Sequence, residues 1–119
     1  MSIERHITTR RHSMVVVHAD TVYLAGVTAP DRSADVAGQT RQVLARIDEL
    51  LQGQQVTRTD LLSAQVWLKD IGKDFTTFNA LWEAWMPEGH APARATVEAK
   101  MALPDVLVEI MCTAARRPQ

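Results

Sequence analysis

Two charged residues near the end of the chain stand out because their neighbours are apolar. Glu109 lies in the middle of 106–114, a run with no other charged residue. An isolated carboxylate in such a strand is costly unless it is paired or hydrogen-bonded. Arg94 follows Ala91-Pro92-Ala93, where the proline stiffens the chain and gives the guanidinium a defined starting point. Charges of this kind cluster at functional sites, but a structural Arg94–Glu109 ion pair explains the spacing equally well.

Other side chains that often do chemistry are present, but their spacing supports no role. No metal is expected, because the histidines lack the spacing typical of metal ligands; they are His6, His12, His18 and His90. Cys112, the only cysteine, alternates onto the apolar face of its strand, which favours a core residue over a nucleophile. The sequence contains no glycine-rich phosphate loop, HExxH or Gly-x-Ser-x-Gly motif.

Length and charge limit the classes of protein that the sequence can encode. With 46% hydrophobic and 23% charged residues, positions 1–119 are expected to form one globular domain. The net charge of −1 argues against nucleic-acid binding. No apolar run reaches the length of a signal-peptide core or a membrane span, and a lone cysteine fits a reducing compartment. We therefore expect a cytoplasmic protein without a membrane partner.

The elements that would position Arg94 and Glu109 follow from hydrophobic periodicity. Runs of β-branched and apolar residues predict five strands, at 14–18, 21–25, 61–68, 93–101 and 106–114. The first two strands are expected to form a hairpin, and so are the last two, which are joined across 103–105.

Helical spacing predicts two helices, at 33–52 and 74–85. Asp31 or Ser33 can cap the first helix, and Gly53 occupies the position where a left-handed residue often ends a helix. The second helix carries an aromatic-rich stripe that we interpret as core packing. The stripe consists of Phe75, Phe78, Leu81, Trp82 and Trp85.

The element order β-β-α-β-α-β-β predicts an α+β fold with one mixed sheet and both helices on the same face. In the strand at 106–114, one face is wholly apolar, and Leu107 and Met111 make the other face largely apolar as well. Antiparallel strands normally leave the second face polar, so another subunit is expected to cover it. The pattern thus predicts a homo-oligomer.

Several sequence blocks resemble the RidA/YjgF (reactive intermediate deaminase) family. The specific part is C-terminal: Pro92–Glu98, then Leu103-Pro104, then Leu107–Ile110. Weaker matches extend the resemblance to about residues 12–116; they are Val22–Gly26, Gln39–Leu44, Val66–Asp70, Phe75, Phe78 and Asn79.

The resemblance implies a homotrimer with a chorismate-mutase-like fold and sites in the clefts between subunits. It implies cofactor-independent hydrolysis of 2-imino or enamine acids to 2-oxo acids and ammonia. Arg94 would bind the substrate carboxylate with both arms of its guanidinium, and Glu109 would hold or activate the attacking water. Asn79 and Thr96 match family positions near the ligand.

Two segments depart from the well-studied deaminases of the family. His12 aligns with a tyrosine of those enzymes and is a candidate substrate-binding residue here, and Val27–Pro30 lacks their Gln-Ile-Pro. An alternative is therefore a non-enzymatic trimer that binds a small ligand or a protein on the same fold. A third interpretation, a chorismate-mutase-like enzyme, is supported only by the expected trimer architecture, and a fold does not determine function.

Overall fold

The computed structural model describes residues 2–117, which form six strands and two α-helices. The strands are β1 Ile3–Thr8, β2 Ser13–His18, β3 Thr21–Leu24, β4 Leu61–Leu68, β5 Ala93–Glu98 and β6 Val108–Ala115. The helices are α1 Val36–Gln52 and α2 Ile71–Trp85, and a short 3-10 helix, Arg58–Asp60, precedes β4. The predicted α+β order is confirmed from β2 onward, and β1 is an additional strand.

All six strands belong to one mixed sheet with the order β1-β2-β3-β6-β4-β5. β5 runs parallel to β4, and the other neighbouring strands are antiparallel. β6 lies between β3 and β4, so the predicted hairpin of the last two strands is wrong. The physical reason is that α2 provides the crossover by which β5 pairs in parallel with β4, which leaves the other edge of β4 for β6. The apolar residues on both faces of β6 suit this central position.

β1 was missed because it has no buried face. All six of its residues are exposed, including Ile3 at 50% and Ile7 at 57%. It pairs with β2 from Ile3↔His18 to Thr8↔Ser13 and forms one edge of the sheet. A strand without a buried face leaves no hydrophobic pattern in the sequence.

Both helices begin at aspartate caps. α1 starts at Val36 instead of residue 33, because the side chain of Asp35, not Asp31 or Ser33, accepts a hydrogen bond from the Gly38 amide. α2 starts at Ile71, three residues before the predicted start, where Asp70 caps the Lys73 amide. The left-handed conformation expected at Gly53 is also wrong, since its φ is −60°.

The core lies between the helices and one face of the sheet, as predicted. Alternate strand residues such as Val15, Val22 and Ile110 are at most 1% exposed, as are Ile47 of α1 and Phe78 of α2. The opposite face is uncovered within one chain. We call it the open face; Tyr23 and Met111 project from it and are 42% and 45% exposed. Among the described residues, neither helix is both long enough and apolar enough to cross a bilayer.

Candidate active site

Arg94 lies in β5, at one edge of the sheet, and its side chain points to the helix-covered face. Its register partner in β4, Ala64, is buried in the core on that face. The Nη2 atom of Arg94 donates a hydrogen bond of 2.8 Å to Oδ1 of Asn79 in α2. The Arg94 Cζ atom is 5.5 Å from the ring centre of Phe78 and 5.3 Å from that of Trp82. Three side chains of α2 therefore hold this guanidinium.

The positive charge of Arg94 has no ion-pair partner among residues 2–117. Burial lowers the pKa of the Arg94 guanidinium, and the negative charge of Glu83 opposes that shift. Both effects leave the group cationic at neutral pH, because an arginine pKa starts far above this range. A half-buried guanidinium with unused donors is suited to bind an anion.

Glu109 lies in β6 and points to the open face. Val108 and Ile110, on either side of it, are fully buried on the helix-covered face. The carboxyl group packs against the backbone of Gly26, where an added Cβ would overlap Oε2 and lie 3.1 Å from Cδ. It makes no hydrogen bond or ion pair with any side chain or backbone group in 2–117. Burial raises the pKa of the Glu109 carboxyl, as expected for an unpaired carboxylate against apolar surroundings.

Arg94 and Glu109 therefore occupy opposite faces of the same sheet. The register makes this independent of side-chain rotamers: Arg94 is level with Ala64, and Glu109 is level with Trp67, three residues further along β4. Because faces alternate along a strand, the two charged side chains cannot meet within one chain. A structural Arg94–Glu109 ion pair, the simplest alternative from the sequence, is wrong for the single chain.

The other predicted site residues divide between these two locations. Thr96 shares the Arg94 face of β5, and its Oγ1 atom is buried without a hydrogen-bond partner in the described chain. Asn79 contacts Arg94 directly. His12 is exposed in the turn between β1 and β2, and β3, β6 and β4 separate it from β5. The structure thus brings Asn79 and Thr96 to Arg94, but not His12.

The aromatic stripe of α2 has a role beyond the core packing predicted for it. Phe78 and Trp82 are buried as expected, yet they also form the surface on which Arg94 lies. Phe75 is 42% exposed, so the core prediction is wrong at that position. Trp85 is half-buried, and Nε1 donates a hydrogen bond of 3.0 Å to Asp48 of α1.

Cys112 is excluded as a nucleophile in this structure. The residue is 2% exposed, and burial raises the pKa of its thiol to about 12. Thiolate would be scarce at neutral pH, which agrees with the predicted core role. In residues 2–117, no three His, Cys, Asp or Glu side chains cluster closely enough to ligate a metal ion.

Two of the concave regions in the described chain bear on the site prediction. A shallow cleft of about 470 Å³ lies beside Arg94 on the open face; Ser63, Gln65, Met111 and Thr113 are among its lining residues. A larger cavity of about 880 Å³ lies where α1 and α2 begin and contains none of the predicted site residues. Three of its carboxylates accept hydrogen bonds from helix-start amides, so we interpret these acidic groups as caps; they are Asp35, Asp70 and Glu98.

Gln39 is a structurally important residue that sequence reasoning missed. It is fully buried, and Nε2 lies within hydrogen-bond distance of the carbonyls of Arg32, Ala34 and Asp105. Its Oε1 accepts from the amide of Leu107, two residues before Glu109. A single side chain therefore joins the loop before α1 to the start of β6. The available signal was a long polar residue at a stripe position of α1, three residues after Val36 and four before Val43.

The whole chain matches known proteins in both sequence and structure. A sequence model of the family described as Endoribonuclease L-PSP matches residues 3–116. The RutC family protein YoaB of Escherichia coli K12 is 40% identical over 115 residues, which are 97% of this chain and 99% of that protein. This chain belongs to the RidA/YjgF family.

Solved structures of family members superpose closely. A YjgF-family protein from Neisseria meningitidis is 37% identical, with a TM-score of 0.93 over 100% of this chain and 98% of the other. An uncharacterised protein from Pseudomonas aeruginosa is 39% identical, with a TM-score of 0.94 over 98% and 100% of the two chains. The YjgF-like fold inferred from the sequence is therefore confirmed.

Relatives within the RidA/YjgF family differ in how specifically their function is named. YoaB, which aligns over nearly its full length, is described only by its family. The 2-iminobutanoate/2-iminopropanoate deaminase of E. coli K12 is 38% identical over 86 residues, covering 71% of this chain and 66% of that enzyme. That activity is a property of the relative.

Proposed function

We propose that the protein hydrolyses small 2-imino or enamine acids to 2-oxo acids and ammonia, without a cofactor and in the cytoplasm. The observation that carries this proposal is that two charged groups of the sheet have no ion-pair partner in residues 2–117. They are the Arg94 guanidinium on one face and the Glu109 carboxyl group on the other. A family relative named as an imine deaminase supports the same reaction.

Arg94 would bind the substrate carboxylate through two parallel N–H···O hydrogen bonds. Thr96 follows on the same strand, β5, and because its hydroxyl is buried, its backbone is the part that would contact the ligand. The carboxylate would thus be oriented beside the edge strand, with the adjacent imine carbon directed away from Arg94.

Glu109 would act as the general base and then as the general acid. Its carboxylate takes a proton from water as the oxygen attacks the carbon of the protonated imine (C=NH2+). The new C–O bond forms while the C=N π electrons move to nitrogen, which gives a neutral amino alcohol. Glu109 then returns this proton to nitrogen, and the C–N bond breaks as the hydroxyl oxygen forms the C=O bond. The hydroxyl proton passes to the Glu109 carboxylate and on to solvent, so that the 2-oxo acid and ammonia leave. A carboxyl group whose pKa is raised by burial is suited to this transfer near neutral pH.

A site that uses both residues requires two chains, because Arg94 and Glu109 face opposite sides of one sheet. We propose a homotrimer in which the open face of one subunit packs against the β5 edge of the next, so that Glu109 of one copy meets Arg94 of another. Tyr23 and Met111, both more than 40% exposed in the single chain, would be buried in that contact.

The second candidate is a trimer that binds a carboxylate ligand, or a protein, without catalysis. It is favoured by the residue at position 12, where an exposed histidine replaces the tyrosine of the deaminases. In this case Arg94 would still bind the carboxylate, but Glu109 would have no role in turnover.

One experiment separates the two candidates. An amino-acid oxidase generates 2-iminobutanoate in the presence of semicarbazide, which traps the imine as a semicarbazone. A lower rate of semicarbazone formation then reports faster hydrolysis of the imine. We expect the wild-type protein to accelerate hydrolysis and Glu109→Gln to abolish most of that acceleration. Binding of 2-oxobutanoate by calorimetry without any acceleration would instead support the ligand-binding trimer, and absence of both would contradict both proposals.

A further inference from the structure

We propose that Asn79 is a positioning residue, which fixes the Arg94 guanidinium while leaving its positive charge uncompensated. The inference rests on the proposed carboxylate-binding role of Arg94 and goes beyond it. It states that two residues of α2, Asn79 and Glu83, control how strongly the positive charge of Arg94 attracts a ligand. Asn79 was first a candidate for contacting the ligand; its hydrogen bond to Arg94 points to an indirect role.

The donors of Arg94 show why one bond to Asn79 is compatible with ligand binding. A guanidinium offers two forks for a carboxylate, one using Nε and Nη2 and the other using Nη1 and Nη2. Each fork uses a different hydrogen of Nη2. The single 2.8 Å bond to Asn79 occupies one Nη2 hydrogen and leaves the other fork complete.

The aromatic rings limit the remaining freedom of the guanidinium. Phe78 precedes Asn79, and Trp82 lies about one turn further along α2, so all three side chains are on the same side of the helix. Arg94 lies within 5.5 Å of both ring centres. Such contacts are attractive for a cation without supplying a negative charge.

The choice of an amide at position 79 has an electrostatic consequence. An aspartate would accept the same hydrogen bond but would form an ion pair with Arg94, and a substrate carboxylate would then compete with it. Within residues 2–117, the carboxylate that acts on the pKa of Arg94 is Glu83, one turn after Asn79 in α2. Glu83 is exposed and outside ion-pair distance, so its effect should be weak and screened by salt.

The test measures 2-oxobutanoate affinity by calorimetry for wild type, Asn79→Asp, Asn79→Ala and Glu83→Gln. We expect Asn79→Asp to weaken binding about 30-fold or more, and Asn79→Ala to weaken it by only about threefold to tenfold, because charge is kept but orientation is lost. Glu83→Gln should strengthen binding by about twofold at low salt, with no difference at 0.5 M salt, where the screening length is only about 4 Å. Equal affinities of wild type and Asn79→Asp, or weaker binding by Glu83→Gln, would overturn the inference.

A readout without ligand separates this inference from the proposed function. The Arg94 Nη signals in nitrogen NMR, assigned by their loss in Arg94→Lys, should show slow guanidinium rotation in wild type and fast rotation in Asn79→Ala. If wild type binds no 2-oxobutanoate, the proposed function fails, and the rotation rates still decide whether Asn79 positions Arg94. Unchanged rotation in Asn79→Ala, with an unchanged melting temperature, would refute the positioning role.

Discussion

The backbone of Gly26 lies against the carboxyl group of Glu109, so close that a Cβ added at position 26 would overlap Oε2 and force the carboxyl group to move. The contact joins the end of the β2–β3 hairpin to the centre of β6, where Val27 also pairs with Ile110. Gly26 thus determines where the carboxyl group can lie on the open face.

Gly26→Ala should displace the Glu109 side chain and lower the rate of imine hydrolysis by about tenfold or more, since a misplaced catalytic group is costly. Affinity for 2-oxobutanoate, which depends on Arg94, should change little. The matched control is Gly53→Ala, where an added Cβ would be no closer than 3.5 Å to its nearest neighbour. A normal rate in Gly26→Ala would contradict a requirement for this carboxyl position.

Replacing Glu109 by glutamine keeps the shape of the side chain and removes its ability to accept a proton. We expect hydrolysis of 2-iminobutanoate to slow by about 10²-fold or more, the usual scale for loss of a general base. Stability should be unchanged or higher, because the variant no longer buries an unpaired carboxylate. Loss of stability without loss of rate would remove Glu109 from the mechanism.

The stability difference between wild type and Glu109→Gln should also depend on pH. Because the pKa of Glu109 is raised in the folded protein, the native state binds more protons than the unfolded state between the two pKa values. The wild type should therefore lose stability relative to the variant as pH rises from 4 through the folded pKa. Denaturant unfolding of both proteins at pH 4 and pH 7 would measure this change. A wild type that gains stability relative to the variant between pH 4 and pH 7 would contradict it.

Arg94→Lys keeps a positive charge at the β5 edge but loses the planar fork and the contact with two rings. We expect affinity for 2-oxobutanoate to fall about tenfold or more while the fold survives. Calorimetry measures the affinity, and circular dichroism and thermal melting serve as controls for folding. Unchanged affinity would show that Arg94 does not bind the carboxylate with both arms.

The open face predicts the oligomeric state. Light scattering at micromolar protein should give a mass near three chains. Met111→Glu should lower that mass, because a buried charge would destabilise the subunit contact. Ala45→Glu, on an exposed position of α1, is the control and should leave the mass unchanged. A well-folded wild-type monomer would contradict both the packing argument and the two-chain site.

Gln39→Leu should cost about 3 kcal/mol of unfolding free energy, since it leaves the Leu107 amide and several loop carbonyls without a partner. Gln42→Leu is a suitable comparison, because Gln42 makes two hydrogen bonds to the backbone of Asp31 at the exposed surface. Its cost should be below about 1 kcal/mol. Urea unfolding of both variants measures the difference, and equal costs would refute the anchoring role of Gln39.

The helices and the core could be predicted because burial imposes a period on the sequence. The stripe from Val43 to Leu51 is buried as the spacing predicted, and so is every second residue of 106–114 from Val106 onward. The pairing of the strands was harder to predict. Hydrophobicity shows that 106–114 is largely apolar on both faces, but not that it lies between β3 and β4.

The sequence was enough to predict which residues are candidates for the site, but not which side chains contact one another. Arg94 and Glu109 were identifiable as charges in apolar strands, whereas their opposite faces depended on a register that spans three strands. The bond from Arg94 to Asn79 joins residues 15 positions apart in sequence, and local periodicity does not encode it. Gln39 escaped notice because a glutamine on a helix is ordinarily at the surface.

The central place of β6 determines when the domain can fold during synthesis. A nascent chain that ends before residue 108 holds two separate ladders, β1–β2–β3 and β4–β5, with no hydrogen-bonded strand in common. β3 and β4 then each present an unpaired edge that the complete sheet closes, of the kind that invites pairing with other chains. Both edges are closed at once when Val108–Ala115 leaves the ribosome. Pairing of β6, the last of the described strands in chain order, therefore completes the sheet, and nascent chains stalled just upstream of it should be bound by chaperones.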